Sequence, residues 1–97
     1  MKIEFLEAAQ AELDDAFEWY EAQQKNLGVQ FINEFEAAIK RISTYPESFV
    51  LIGNEVRRCL IKRFPYGILY GIDADTIVII SVAHLHRKPS YWLGRLS

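Results

Sequence analysis

Ninety-seven residues with 51% apolar and 25% charged content suit one compact domain, and a chain of this size buries roughly 60–70% of its unfolded surface without a metal or disulfide to staple it. The single cysteine, Cys59, excludes an internal disulfide, and no C-x-x-C pair is present for metal or redox chemistry. A formal net charge of −2 argues against a protein that binds nucleic acid through bulk basicity.

That charge is unevenly shared. Residues 1–55 carry four basic and eleven acidic side chains, net −7, whereas residues 56–97 carry seven basic and two acidic ones, net +5. The split points to a face for an anionic partner or ligand on the second half. Charges interrupt the short apolar run of MKIEFLEAAQ, so it does not read as a signal peptide, and no stretch reaches the ~18 apolar residues of a membrane span. With one unpaired cysteine, the expected setting is the reducing cytoplasm.

Lys2 to Phe5 alternates polar and apolar residues, with Ile3 and Phe5 on one side, as a short half-buried strand does. Ala9, Leu13, Ala16, Phe17 and Tyr20 then recur at helical spacing over about Glu7 to Gln24, and Glu12, Asp14, Asp15, Glu18 and Glu21 fill the remaining arc. That arc is either a docking patch for a basic partner or a solvated helix face, with Glu21 four residues before Lys25 supporting the helix by ~0.2–0.5 kcal/mol. Lys25-Asn26-Leu27-Gly28 turns the chain into a second, antiparallel helix over about Val29 to Ser43. Its stripe of Phe31, Ile32, Phe35, Ala38, Ile39 and Ile42 is wide enough to touch both the first helix and a sheet.

Tyr45-Pro46 ends that helix, because proline disfavours helical geometry in the residue before it. Phe49-Val50-Leu51-Ile52 follows as a connection, either tucked under the helices or exposed to a partner, and Gly53-Asn54 is a turn signal. From Val56, period-two alternation puts Arg57, Cys59 and Ile61 on a core-facing side and Arg58, Leu60 and Lys62 outward. Cys59 therefore reads as a small buried hydrophobe. Tyr66 to Asp73 forms the next strand, with Tyr66, Ile68, Tyr70 and Ile72 on one face. Gly67 and Gly71 lie on the other face, where they either admit the close approach of a ligand or side chain or mark a bulge. Asp73-Ala74-Asp75 turns a hairpin into Thr76 to Leu85, apolar on both faces as an interior strand is. Here Val78, Ile80 and Val82 share parity with His84 and His86.

Histidines at i and i+2 point the same way and could serve a metal or acid–base chemistry near pH 7. No third ligand stands at a recognisable spacing, so no metal or cofactor is expected. His84 reads as a hydrogen-bonded core residue, while His86, beyond the sheet, is freer. Arg87-Lys88-Pro89-Ser90-Tyr91-Trp92 mixes cations with aromatics, a composition that either grips phosphates and stacks bases or packs Trp92 against the sheet.

The order strand, helix, helix, strand, strand, strand, with L-D-D-A-F-E-W-Y on the first helix, resembles the RelE/ParE family of bacterial toxins. V-R-R, Y-G-I-L-Y, I-V-I-I-S-V-A-H and the R-K-P-x-x-W tail extend the resemblance over nearly the whole chain, closer to the ParE-like members. It implies a single α+β domain over residues 1–97, β-α-α-β-β-β, with a helical hairpin packed on a mainly antiparallel sheet. Residues 1–55 would hold a strand and the hairpin, 56–88 a three-stranded antiparallel meander, and 89–97 a C-terminal tail. It also implies the toxin of a type II toxin–antitoxin system, a growth inhibitor of the plasmid-stabilisation kind. A cognate antitoxin would neutralise it in a hetero-oligomer by wrapping it with an extended or helical C-terminal segment.

Members of that family divide by target: ParE-like toxins poison DNA gyrase without cutting RNA, and RelE-like toxins cleave mRNA in the ribosomal A site without a metal. Cleavage needs a base for the 2′-hydroxyl, an acid for the leaving 5′-oxygen and cations for the developing phosphorane charge. The candidates are Arg58, Lys62, His86, Arg87 and Tyr91. Leu85 falls where the resemblance places the catalytic arginine of the nucleases, and this chain is acidic where they are basic. Gyrase is therefore the expected target, with the ribosome and its mRNA as the alternative and a non-toxic, antitoxin-binding remnant as a third reading. Expected partner contacts are Trp19, Phe49, Val50, Leu51, Ile52, Arg58, Arg87 and Trp92.

Overall fold

The computed structural model describes residues 1–87 and 91–96; Lys88, Pro89 and Ser90 of the basic, aromatic tail and the final Ser97 lie outside the described residues. Strand β1, Lys2–Phe5, leads into helix α1, Glu7–Gln23, and helix α2, Leu27–Thr44. Strands β2, Val50–Gly53, β3, Val56–Leu60, β4, Tyr66–Asp73, and β5, Thr76–His84, follow, and a 3-10 turn spans Leu93–Leu96. The sheet order is β1-β5-β4-β3-β2. Among the described residues only β1 with β5 is parallel, Lys2 standing opposite Thr76, and the other three pairs are antiparallel. A parallel pair needs a long connection, and everything between β1 and β5 supplies it.

This is the expected α+β arrangement with one strand more. Val50–Gly53, expected as a connection, pairs antiparallel with β3, Val50 opposite Arg58 and Leu51 opposite Arg57. Its residues are all exposed, so backbone pairing rather than burial makes it a strand. The antiparallel run of strands therefore begins at Val50.

The helices lie on one face of the sheet. Phe31, Phe35, Ala38 and Ile42 of α2 and Ala9, Leu13, Ala16 and Tyr20 of α1 form one core with Cys59, Ile61, Ile68, Tyr70, Ile77, Ile79 and Val82. Burying each of the larger side chains stabilises the fold by about 1.5–3 kcal/mol. The two helices meet at Gly28, where a Cβ would lie 2.7 Å from the carbonyl oxygen of Phe17. Glu21 sits at the same junction, but its expected pairing with Lys25 is replaced by a cap. Its carboxylate accepts hydrogen bonds from the amides of Asn26 and Gly28, at 2.9 and 3.0 Å, two donors that the start of α2 would leave open.

Alternation along β5 does not run through unbroken. Leu69 stands opposite Ser81 and Tyr70 opposite Ile79, so Ile80 has no partner on β4. A bulge of this kind shifts which face each following side chain takes. Ile77 and Ile79 face the helices before it and Val82 after it, whereas Ile80 lies in a second cluster with Val56, Leu69 and Trp92. The shared parity expected of Val78, Ile80 and Val82 is thus corrected: Val82 belongs with the helix-facing core, Val78 and Ile80 with the second cluster. Ahead of β2, the loop is tied to the sheet by Arg57, which donates to the carbonyls of Glu47 and Phe49 at 2.9 and 2.7 Å, and by Tyr70, which donates to Pro46 at 2.6 Å.

Candidate functional site

Where α1 crosses the end of β5, one carboxylate gathers the tail. Glu12 accepts from the Ser81 hydroxyl at 3.0 Å and the Val82 amide at 3.1 Å. It also accepts from Arg87 at 3.0 Å, from the Tyr91 hydroxyl at 3.2 Å and from both terminal nitrogens of Arg95, at 2.8 and 3.2 Å. Tyr91 and Ser81 also hydrogen-bond to each other, and Arg95 Nη1 reaches the Ile80 carbonyl at 2.9 Å. The Arg87 guanidinium stacks 3.8 Å above the Tyr91 ring. Two arginines and three further donors around one carboxylate, whose side chain is 13% exposed, form a charge-assisted network of the stronger kind. Burial disfavours the charged Glu12, but the hydrogen bonds from Arg95, the Val82 amide and Ser81 outweigh it and hold the carboxyl below its ordinary value.

This network draws the tail back onto the sheet. Trp92 is 5% exposed and packs with Val56, Leu69 and Ile80 on the face away from the helices. Of the two uses open to the tail's aromatics, the isolated chain shows the packed one for Trp92.

Beside Trp92 lies a cavity of about 220 Å³, lined by Ile52, Arg58, Gly67, Leu69, Ala83, His84, Leu85, Arg87, Tyr91 and Trp92. Gly67 has a specific part in it. A Cβ there would come within 3.2 Å of the Arg58 stem, so glycine lets Arg58 lie flat across β4. Close approach by a side chain, not a bulge, accounts for this glycine.

Of the five nuclease candidates, Arg58, Arg87 and Tyr91 thus meet at one cavity. Lys62 stands apart, in a shallow groove with Arg41, Phe49, Val50, Arg58 and Leu60. His86 is exposed; its amide donates to His84 Nδ1 at 3.1 Å, and the two imidazole rings are 5.2 Å apart. No group of three or more metal-ligating side chains joins them among the described residues. Cys59 is buried as read, and burial pushes its thiol up. Chemically the cavity is weakly equipped. Burial pushes the Tyr91 phenol up, away from the value a base near pH 7 needs, and the charge of Arg87 is already met by Glu12.

The remaining expected contacts divide by exposure. Trp19 is 58% exposed on α1, edge-on to Tyr20, and borders a wider groove between α1 and the start of β4 that also includes Asp15, Tyr66 and His84. Phe49 is half-buried against Tyr70, while Val50, Leu51 and Ile52 lie open on β2. Sequence reading missed Glu12, Ser81 and Arg95. Glu12 sits in an acidic run that also reads as a solvated face, and only its long-range partners distinguish it.

A helical hairpin on one face of a mainly antiparallel sheet, with a tail folded back over the other, defines a class of small α+β domains. The chain belongs to one toxin family of that class: its residues 3–89 match the model of the ParE toxin of type II toxin–antitoxin systems, parDE. A solved structure described as the chromosomal ParDE TA system from P. aeruginosa has the same fold, with a TM-score of 0.70 over 87% of this chain and 95% of that one, at 13% identity. No curated protein matches the sequence. No described helix is long and apolar enough to cross a membrane.

Proposed function

We propose that this ParE-family toxin arrests growth in the cytoplasm by engaging DNA gyrase without cutting RNA, and that a cognate antitoxin silences it in a hetero-oligomeric complex. The observation that carries the non-nucleolytic reading is the Glu12 network. Arg87 and Tyr91, the two tail groups a ribonuclease would use, are held by a carboxylate. A partly buried anion beside the reacting phosphate would oppose the phosphorane charge rather than stabilise it. The surface is thus equipped to bind rather than to transfer protons. The antitoxin enters through the family and through the toxin–antitoxin system whose fold this chain shares.

One observation favours the ribosome-dependent alternative: Arg58, Arg87 and Tyr91 converge on a single cavity. Expression of the chain alone separates the two. Gyrase poisoning brings a DNA-damage response with intact mRNA ends, whereas cleavage brings new mRNA ends. Growth that continues unaffected, with the antitoxin still bound, would instead mark a non-toxic remnant.

A further inference from the structure

Trp19 keeps more than half of its surface in solvent while Trp92 is packed away, and it stands in the wall of the groove between α1 and the start of β4, about 620 Å³ in volume. That wall is aromatic. The rings of Trp19 and Tyr20 are 5.2 Å apart and nearly perpendicular, and those of Tyr20 and Tyr66 are 6.0 Å apart. A row of rings thus runs from α1 to β4, and exposed Pro65 extends it. The charge beside the row is negative. Asp15, one helical turn before Trp19, lines the same groove, and Glu18 is exposed next to Trp19. Neither carboxylate has an ion pair or a side-chain hydrogen bond among the described residues. Glu12 and Arg87, which also line the groove, are paired with each other. The tail shows what completes a ring and a carboxylate in this chain: Arg87 stacks on Tyr91 and bonds Glu12. Trp19 and Asp15 present the same two elements, and among the described residues no cation stacks on Trp19.

We propose that this groove takes an arginine side chain presented by a partner protein. Its guanidinium would stack on Trp19 and pair with Asp15, and its methylene stem would lie along Tyr66 and Pro65. Charge complementarity selects this occupant. A nucleic acid would bring phosphates against Asp15 and Glu18, and an acidic segment would bring carboxylates. Arginine suits the site better than lysine, because a planar guanidinium stacks on a ring and bonds a carboxylate at the same time. A small free cation would satisfy Asp15 but leave the row of rings uncovered. Within the proposed function gyrase presents the arginine, and this assignment alone rests on that reading.

The test uses the full chain and a capped heptapeptide with one central arginine flanked by leucines, alongside analogues carrying citrulline, lysine or glutamate in its place. The indole N–H signal of Trp19 reports binding, with that of Trp92 as the reference within the same molecule. The arginine peptide should shift Trp19 and spare Trp92, and should bind about 2- to 30-fold tighter than the neutral citrulline analogue. Lysine should rank between them, and the glutamate analogue should not bind. Trp19 and Asp15 are exposed, so Trp19→Ala and Asp15→Asn should keep the wild-type unfolding midpoint. The first should weaken binding by about 2- to 30-fold and the second by about 2- to 5-fold, while Trp19→Phe retains most of it. Equal binding of the citrulline or glutamate analogue would overturn the proposal, as would displacement of the peptide by a single-stranded oligonucleotide. A Trp19 signal that moves with the concentration of the chain alone would also overturn it, by assigning the groove to a second copy. Retention of purified gyrase separates the two readings. Variants Trp19→Ala and Asp15→Asn that hold gyrase as tightly as the wild type would overturn the groove as that contact and leave the target standing. A chain that binds the peptide at Trp19 yet never retains gyrase would remove the target and leave the site intact.

Discussion

Arg95 closes on Glu12 across 83 residues of sequence, its two terminal nitrogens 2.8 and 3.2 Å from the two carboxylate oxygens. One acidic residue of α1 and one basic residue near the end of the chain thereby fix the tail. Removing the charge in Glu12→Gln leaves Arg95 and Arg87 without their anion in a partly buried site. A loss of about 2–4 kcal/mol in unfolding free energy is expected, together with faster amide exchange around Trp92 and a red-shifted tryptophan emission.

The same carboxyl sets an acid limit. Its folded-state value lies below the ordinary 4.5, so the stability it lends is fully present above that value and is lost as the pH falls below it, through the depressed folded value. Stability curves of the wild type and Glu12→Gln should converge on acidification. Curves that stay parallel to the lowest pH at which the protein folds would show that the ion pair contributes nothing.

Tyr91→Phe separates binding from cleavage. It removes a hydroxyl that bonds Ser81 and Glu12, at a cost of about 0.5–1.5 kcal/mol, while the ring that stacks under Arg87 remains. Growth arrest should survive this change. A nuclease relying on Tyr91 as acid or base would instead slow by about 10²- to 10⁴-fold, read as the loss of new mRNA ends.

Gly28→Ala tests the helical hairpin. With the Phe17 carbonyl oxygen 2.7 Å from the position of the new methyl group, the helices must separate, and about 1–3 kcal/mol of destabilisation is expected from overpacking. Chemical denaturation with an unchanged slope would measure it directly.

The helices, β4 and most of β5 are legible in the sequence because each repeats an apolar period long enough to define a buried face. Strand β2 is not, since all three of its apolar side chains stay exposed and only hydrogen bonding to β3 marks it. Parity fails on β5 for a local reason: one unpaired residue, Ile80, exchanges the faces on either side of it. The site is harder still. Arg58, Arg87 and Tyr91 could be chosen by residue type, but Glu12 looks like its solvated neighbours Asp14 and Asp15 until the fold brings Ser81, Val82 and Arg95 against it. Trp92 was open to two uses, and only the second cluster, with Val56, Leu69 and Ile80, shows which one the isolated chain takes.

Tyr70 provides a check on how firmly the loop before β2 is held. Its hydroxyl donates to Pro46, and burial pushes its phenol up to about 12. The stability tied to this neutral phenol is complete below the ordinary value of 10.0 and is lost as the pH rises from there through the folded value. Spectrophotometric titration of the folded chain should show a tyrosine ionising near pH 12 that is absent in Tyr70→Phe, along with faster exchange of the amides around Ser48.

Binding of gyrase is the action proposed for the toxin. Its most direct measurement is DNA supercoiling by purified gyrase titrated with the purified chain. Inhibition that saturates with toxin concentration, persists in Tyr91→Phe and is relieved by the antitoxin is the expected result; supercoiling that continues unchanged at a large molar excess of correctly folded toxin would contradict it.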